Sequence, residues 1–197
     1  MKVWRAIASQ RAVREFKRKP VEPKRLERIV DAGRQAPSSN NDQRWRFIVV
    51  TDPGRLDQLS KVGAWAQHIA GAPAAIALVT PEATESWEAE SIAFDLGQAA
   101  RNMMLAAWEM GIGSCHAAVY YREVARQILG YPPGWRCEYV IAFGYPKKPI
   151  DPDVRRDIAR RPLKELRFDE RWLGTVTESP SASSEAEPEA EPQPEPE

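Results

Sequence analysis

The residues with the most chemical potential are Ser38, Ser39, Asn40 and Asn41, set directly after Pro37 and just ahead of the apolar run Arg46-Phe47-Ile48-Val49-Val50. Short hydroxyl and carboxamide side chains donate and accept close to the backbone, so they hold either a turn or a polar guest. Proline stops the helix that the spacing predicts over 21–35 and releases the chain into this loop. A second group is cationic. Arg11 and Arg14 follow a predicted short amphipathic helix over 4–9, and Arg160 and Arg161 precede Pro162. Guanidinium groups bind phosphate bidentately and keep their charge at any working pH. A third group, Ser114-Cys115-His116, follows Gly111-Ile112-Gly113. No glycine fingerprint follows the first predicted strand: Val50-Thr51-Asp52-Pro53-Gly54 has neither GxGxxG nor GxxxxGKS. A nucleotide must therefore be held by other means.

The elements that position these groups alternate. Strands are predicted over 46–50, 74–79, 114–119 and 138–143; helices are predicted over 21–35, 55–62, 64–69 and 121–129. The longest helix spans 87–110, with no proline and only Gly97 inside it. Its Ile92, Phe94, Leu96, Met103, Met104, Leu105, Trp108 and Met110 spread around most of the circumference, which requires cover on most sides. Asp95, Gln98, Asn102 and Glu109 share one stripe, expected to be a solvated face. Four short strands between helices imply an α+β sandwich around a mostly antiparallel or mixed sheet rather than a doubly wound one.

A chain of 197 residues, 43% hydrophobic, supports a single domain, expected over 1–176. Residues 177–197 contain only Thr, Glu, Ser, Pro, Ala and Gln and are expected to be a disordered acidic tail. Seven of the 28 acidic residues lie there and no Lys or Arg follows Arg171, so the body carries 28 basic against 21 acidic groups, a net of +7. A basic body suits nucleic acid, an anionic membrane surface or an anionic cofactor. No run of about 18 apolar residues exists, and Met1-Lys2-Val3-Trp4-Arg5 lacks the apolar core of a signal peptide; a cytoplasmic protein is expected. Cys115 and Cys137 have no metal-ligand spacing and read as buried thiols, with no metal implied.

Taken in order, the motifs resemble one family. Gln10-Arg11-Ala12-Val13-Arg14-Glu15-Phe16 is similar to the RRSxRxF opening of the FMN-dependent nitroreductases, 36–50 to their APSxxNxQPWxFxVV, and 95–113 to their long helix ending in GLG. Gly144-Tyr145-Pro146 and Arg160-Arg161-Pro162-Leu163-Lys164-Glu165 resemble the GYP and RRPLEE segments. The resemblance spans 4–172. It implies an intertwined homodimer of α+β subunits, FMN as cofactor, and NAD(P)H as a co-substrate whose hydride passes through the flavin to a small acceptor, a nitroaromatic or quinone, by a ping-pong mechanism.

Carried over by position, Arg11, Ala12 and Arg14 would contact phosphate, ribityl chain and pyrimidine edge. Pro37, Ser38, Ser39 and Asn41 would reach the flavin from the neighbouring subunit. Gly113, Ser114, Cys115 and His116 would lie beside the ring, and Arg160 with Arg161 would close the phosphate end. Arg14 is the candidate stabiliser of reduced flavin. The chain departs from the family pattern at Gln10 for arginine, Ala12 for a hydroxyl residue, Arg44 for proline and His116 for tryptophan. Arg44 would add a cation at the pocket rim. The same fold serves dehydrogenases, dehalogenases and flavin-consuming synthases, and deazaflavin can replace FMN. Two other classes are a flavin-free dimeric scaffold and a basic nucleic-acid-binding module; the second would put aromatics among basic residues on one strand face, whereas the seven tryptophans are scattered along the chain.

Overall fold

The computed structural model describes residues 2–150 and 160–172, which fall into two units. In chain order the first unit contains α1 (Val3–Ser9), α2 (Pro23–Arg34), β1 (Arg46–Val50), α3 (Pro53–Leu59), β2 (Ala74–Pro81), α4 (Ser86–Glu109), β3 (Gly113–Ala118), α5 (Arg122–Leu129) and β4 (Trp135–Gly144). The sheet order is β1-β2-β4-β3 and every pairing between these strands is antiparallel. β2 is apolar without alternation because it is central and covered on both faces. One parallel pairing, Ala12 with Ser114, extends the sheet beyond β3.

The sheet separates two cores. Ala74, Ile76, Leu78, Ile141 and Phe143 face Leu26, Ile29, Leu96, Ala99 and Met103 of α2 and α4. On the other face Ala75, Ala77, Val79, Val140 and Ala142 meet Leu56, Leu59, Ala125 and Leu129 of α3 and α5. This is the α+β sandwich that the strand and helix pattern implies. The long helix falls within one residue of its predicted span.

Two elements differ from expectation for identifiable reasons. In place of helices over 55–62 and 64–69, α3 ends at Leu59 and only a 3-10 turn, Gln67–Ile69, follows. The Val62 carbonyl accepts from the Tyr120 and Tyr121 amides at 2.9 and 3.0 Å, so it is turned away from any helical partner. β4 is longer than 138–143 because a bulge absorbs Glu138: Leu78 pairs with Tyr139 and Val79 with Cys137. The extra residue breaks the two-residue alternation on which strand reading depends.

The second unit holds α6 (Leu163–Leu166) and a stacked Phe168–Trp172 pair with ring centroids 4.2 Å apart. The expected tail over 177–197 lies outside the described residues.

Candidate functional site

Residues 12–17 form an extra edge lying along one end of the sheet. The Val13 amide donates to the Ser114 carbonyl at 2.9 Å, the Lys17 amide to Tyr145 at 2.8 Å, and the Lys147 amide returns to Glu15 at 2.9 Å. Phe16 bridges Pro146. Val13 and Phe16 are buried, which leaves Ala12 and Arg14 exposed on the alternate positions. Gly113 permits the approach: a Cβ there would sit 2.7 Å from the Val13 Cβ. The bridge between Ala12 and Ser114 thus brings the segment carrying Arg11, Ala12 and Arg14 alongside Gly113, Ser114 and Cys115.

Ser114 is 1% exposed and its hydroxyl has no hydrogen-bond partner among the described residues. A buried donor of this kind is costly unless something completes it. Cys115 is buried; burial raises its thiol pKa, and the charge of Arg14 opposes that shift. Burial pushes the Cys137 thiol up to about 12. Both are held as unreactive thiols. His116 is exposed and stands edge-on to Tyr139 with ring centroids 6.0 Å apart.

His68, absent from the sequence-predicted set, joins this group. Its Nε2 donates to the Cys115 carbonyl at 3.2 Å, which fastens the 64–70 loop to β3. Burial chiefly, then the charges of Arg14 and His116, hold its pKa below 6.5, against the raising influence of the Cys115 and Trp65 backbone. The unfolded chain therefore takes up a proton at a pH where the folded chain stays neutral, and stability falls as pH drops below 6.5. His68→Asn is expected to flatten the fall in melting temperature between about pH 6.5 and pH 5.

The amino-terminal segment is also tied to α4. Trp108 Nε1 donates to Ser9 Oγ at 2.8 Å, and an Arg101 guanidinium nitrogen donates to the Gln10 carboxamide oxygen. Burial lowers the Arg101 pKa.

The loop Pro37–Asn41 is anchored earlier on the same helix. The Ser39 amide donates to the Asp95 carboxylate at 2.9 Å, and Ser91 Oγ to Ser39 Oγ at 2.8 Å. Asp95 is only 7% exposed, which corrects the expectation that its stripe is a solvated face. Asn40, Asn41 and Gln43 all have positive φ, between 50° and 58°. Strain of this kind persists where surrounding contacts over-determine it, and it concentrates at functional sites. The Gln43 amide occupies Ser38 Oγ, and the Gln43 side chain occupies the Asn41 carboxamide oxygen. Their acceptors are therefore engaged internally, while the Ser38 and Ser39 hydroxyl protons and the Asn41 amide protons remain to meet an acceptor-rich guest. Among the described residues no hydrogen bond joins this loop to residues 12–14 of its own chain. Arg101 lies six residues beyond Asp95, about 9 Å along the helix.

Arg44 differs from the rim cation expected of it. It pairs with Asp42 at 2.5 Å and Glu88 at 2.8 Å, so its charge is spent on bracing the loop against α4. Arg160 and Arg161 are exposed in the second unit, where Arg161 meets Glu165 at 3.5 Å. Sequence reading also missed Arg101, for which no local signal exists; its partner is 91 residues away. No cluster of metal-ligating side chains occurs among the described residues, nor any helix long and apolar enough to cross a membrane.

Cations and an uncompleted hydroxyl lie along one edge of the α+β sandwich, and the comparisons with known proteins give the chain a family. The family model described as Nitroreductase family matches residues 7–74 and 55–145. An Archaeoglobus fulgidus protein provisionally assigned as NADH dehydrogenase/NAD(P)H nitroreductase is 32% identical over 149 residues, covering 74% of this chain and 86% of that protein. An NADH dehydrogenase of Thermus thermophilus is 27% identical over 188 residues, 79% of this chain and 92% of that one. Among solved structures, an FMN-dependent nitroreductase from Clostridium difficile R20291 superposes with a TM-score of 0.73 at 26% identity, covering 86% of this chain and all of that one. The chain belongs to the nitroreductase family and is a nitroreductase-like oxidoreductase.

Proposed function

We propose that the protein is an FMN-dependent oxidoreductase that takes hydride from NAD(P)H and passes electrons to a small organic acceptor, a nitroaromatic or quinone, in a ping-pong cycle. The observation that carries this reading is the clamped segment 11–17, which sets Arg11 and Arg14 against the β3 edge next to the unsatisfied Ser114 hydroxyl. The donor set fits the group: FMN presents a phosphate and ring carbonyls, and the site offers guanidinium groups, hydroxyl protons and the Asn41 amide. Bound flavin supplies the hydride and electron transfer.

The chain's own residues hold and tune. Arg14 places a fixed positive charge near Cys115 and His68, which favours an anionic reduced state of a ring held against β3. Exposed His116 and Tyr139 offer an aromatic face for planar substrates, and a body charge of +7 favours the approach of NAD(P)H.

The partner is a second copy of the chain. Trp4 and Phe94 are each 72% exposed, with Val3 and Trp87 also open, large apolar side chains that a second copy would cover. Gly97 sits mid-helix near Phe94, and a Cβ added there would meet nothing within 4 Å. In a single chain, Gly97→Ala would stabilise by about 0.5–1 kcal/mol. With α4 packed against its mate, the added methyl instead weakens the dimer, and thermal melting with sedimentation distinguishes the two. A loop reaching the flavin from the other subunit also accounts for Pro37–Asn41 docking on Asp95 and Ser91 of α4 rather than on residues 12–14 of its own chain.

Initial rates measured while NADPH and a quinone are both varied should give parallel double-reciprocal lines. Intersecting lines would contradict the ping-pong order. Absence of NAD(P)H oxidation by flavin-loaded protein would contradict the function itself.

A further inference from the structure

We propose that Arg101, presented by Gln10, is the cation that receives the phosphate monoester of the flavin, so that helix α4 carries a charge that the loop at position 10 lacks. The proposal rests on the flavin reading above.

Arg101 is half-buried, and long charged side chains seldom leave water unless paired. Its hydrogen bond goes to the neutral Gln10 carboxamide, and no carboxylate pairs with it among the described residues. Arg25, Arg28, Arg34, Arg44, Arg126 and Arg136 each meet a carboxylate, whereas Arg46 and Arg55, which donate to backbone carbonyls, are exposed to water. A carboxamide fixes the direction of a guanidinium without cancelling its charge. Gln10 Nε2 in turn donates to the Arg11 carbonyl at 3.2 Å, so the orientation of Arg101 is tied to the same segment that carries Arg11 and Arg14.

An arginine at position 10 would oppose Arg101, charge against charge; glutamine accepts from it instead. One guanidinium nitrogen is engaged by Gln10, and the remaining donors match the oxygens of a phosphate dianion.

The test compares FMN with riboflavin, which lacks the phosphate, by quenching of flavin fluorescence on deflavinated full-length protein. Arg101→Gln is expected to weaken FMN binding by about tenfold or more while riboflavin binding stays within about twofold. It should also lower the salt dependence of FMN binding. Arg101→Lys, which keeps charge but not the fork, is expected to retain part of the FMN preference. Near-ultraviolet circular dichroism shows whether each variant is folded. Equal weakening of both flavins, or of neither, would overturn the proposal and leave the flavin reading standing. A wild-type protein that binds FMN no more tightly than riboflavin would do the same. Wild-type protein that binds neither flavin would overturn both.

Discussion

Replacing Arg14 with alanine is expected to lower the reduction potential of bound flavin by about 30 mV and to slow turnover roughly tenfold, because removing one well-placed charge from an anionic product would cost about 1.4 kcal/mol. The magnitude stays modest because Arg14 is exposed and partly screened by water. The same substitution removes a positive charge that opposes protonation of His68 and favours ionisation of Cys115. The His68 pKa therefore rises toward its ordinary value and the Cys115 thiol becomes still harder to ionise. Potentiometric titration and the pH dependence of stability read these two consequences separately. A potential unchanged in Arg14→Ala, with turnover also unchanged, would remove Arg14 from its assigned role.

Gly113→Ala is expected to disrupt the site more completely. The new methyl would stand 2.7 Å from Cβ and Cγ2 of Val13, a buried, stiff, β-branched residue. Either Val13 or the whole 11–14 segment must move, which stretches the Val13–Ser114 hydrogen bond and carries Arg11 and Arg14 off the edge of β3. Overpacking of this kind costs about 1–3 kcal/mol. The stability loss should accompany loss of flavin, visible as colourless purified protein whose melting temperature no longer rises on adding FMN. Normal flavin content in Gly113→Ala would show that the clamped segment does not position the cofactor.

Much of this architecture is legible in the amino-acid sequence alone, and the reasons are local. β2 declares itself by a continuous apolar run, α4 by twenty-odd residues without proline, and the Pro37–Asn41 loop by helix-stopping and turn chemistry. The arginine segment and Gly113–His116 are each visible as short motifs, though only the Ala12–Ser114 pairing shows that they meet. What escapes depends on tertiary neighbours. Asp95 has the spacing of a solvated stripe, and nothing in a helical period reveals that a loop 56 residues earlier covers it. His68 lies in a loop without a motif and gains its position by bonding to a strand 47 residues away. Arg44 reads as a rim cation because its partner Glu88 is 44 residues distant. Glu138 hides β4's true length because a bulge inverts the alternation from which strands are read.

Joint binding of flavin by two chains is tested most directly by sedimentation of freshly purified protein monitored at the visible absorption of flavin and in the ultraviolet together. The expected result is one yellow species with the mass of a dimer and one flavin for every chain. A colourless boundary that gains no colour after incubation with FMN, or flavin that travels with a single subunit, would contradict it.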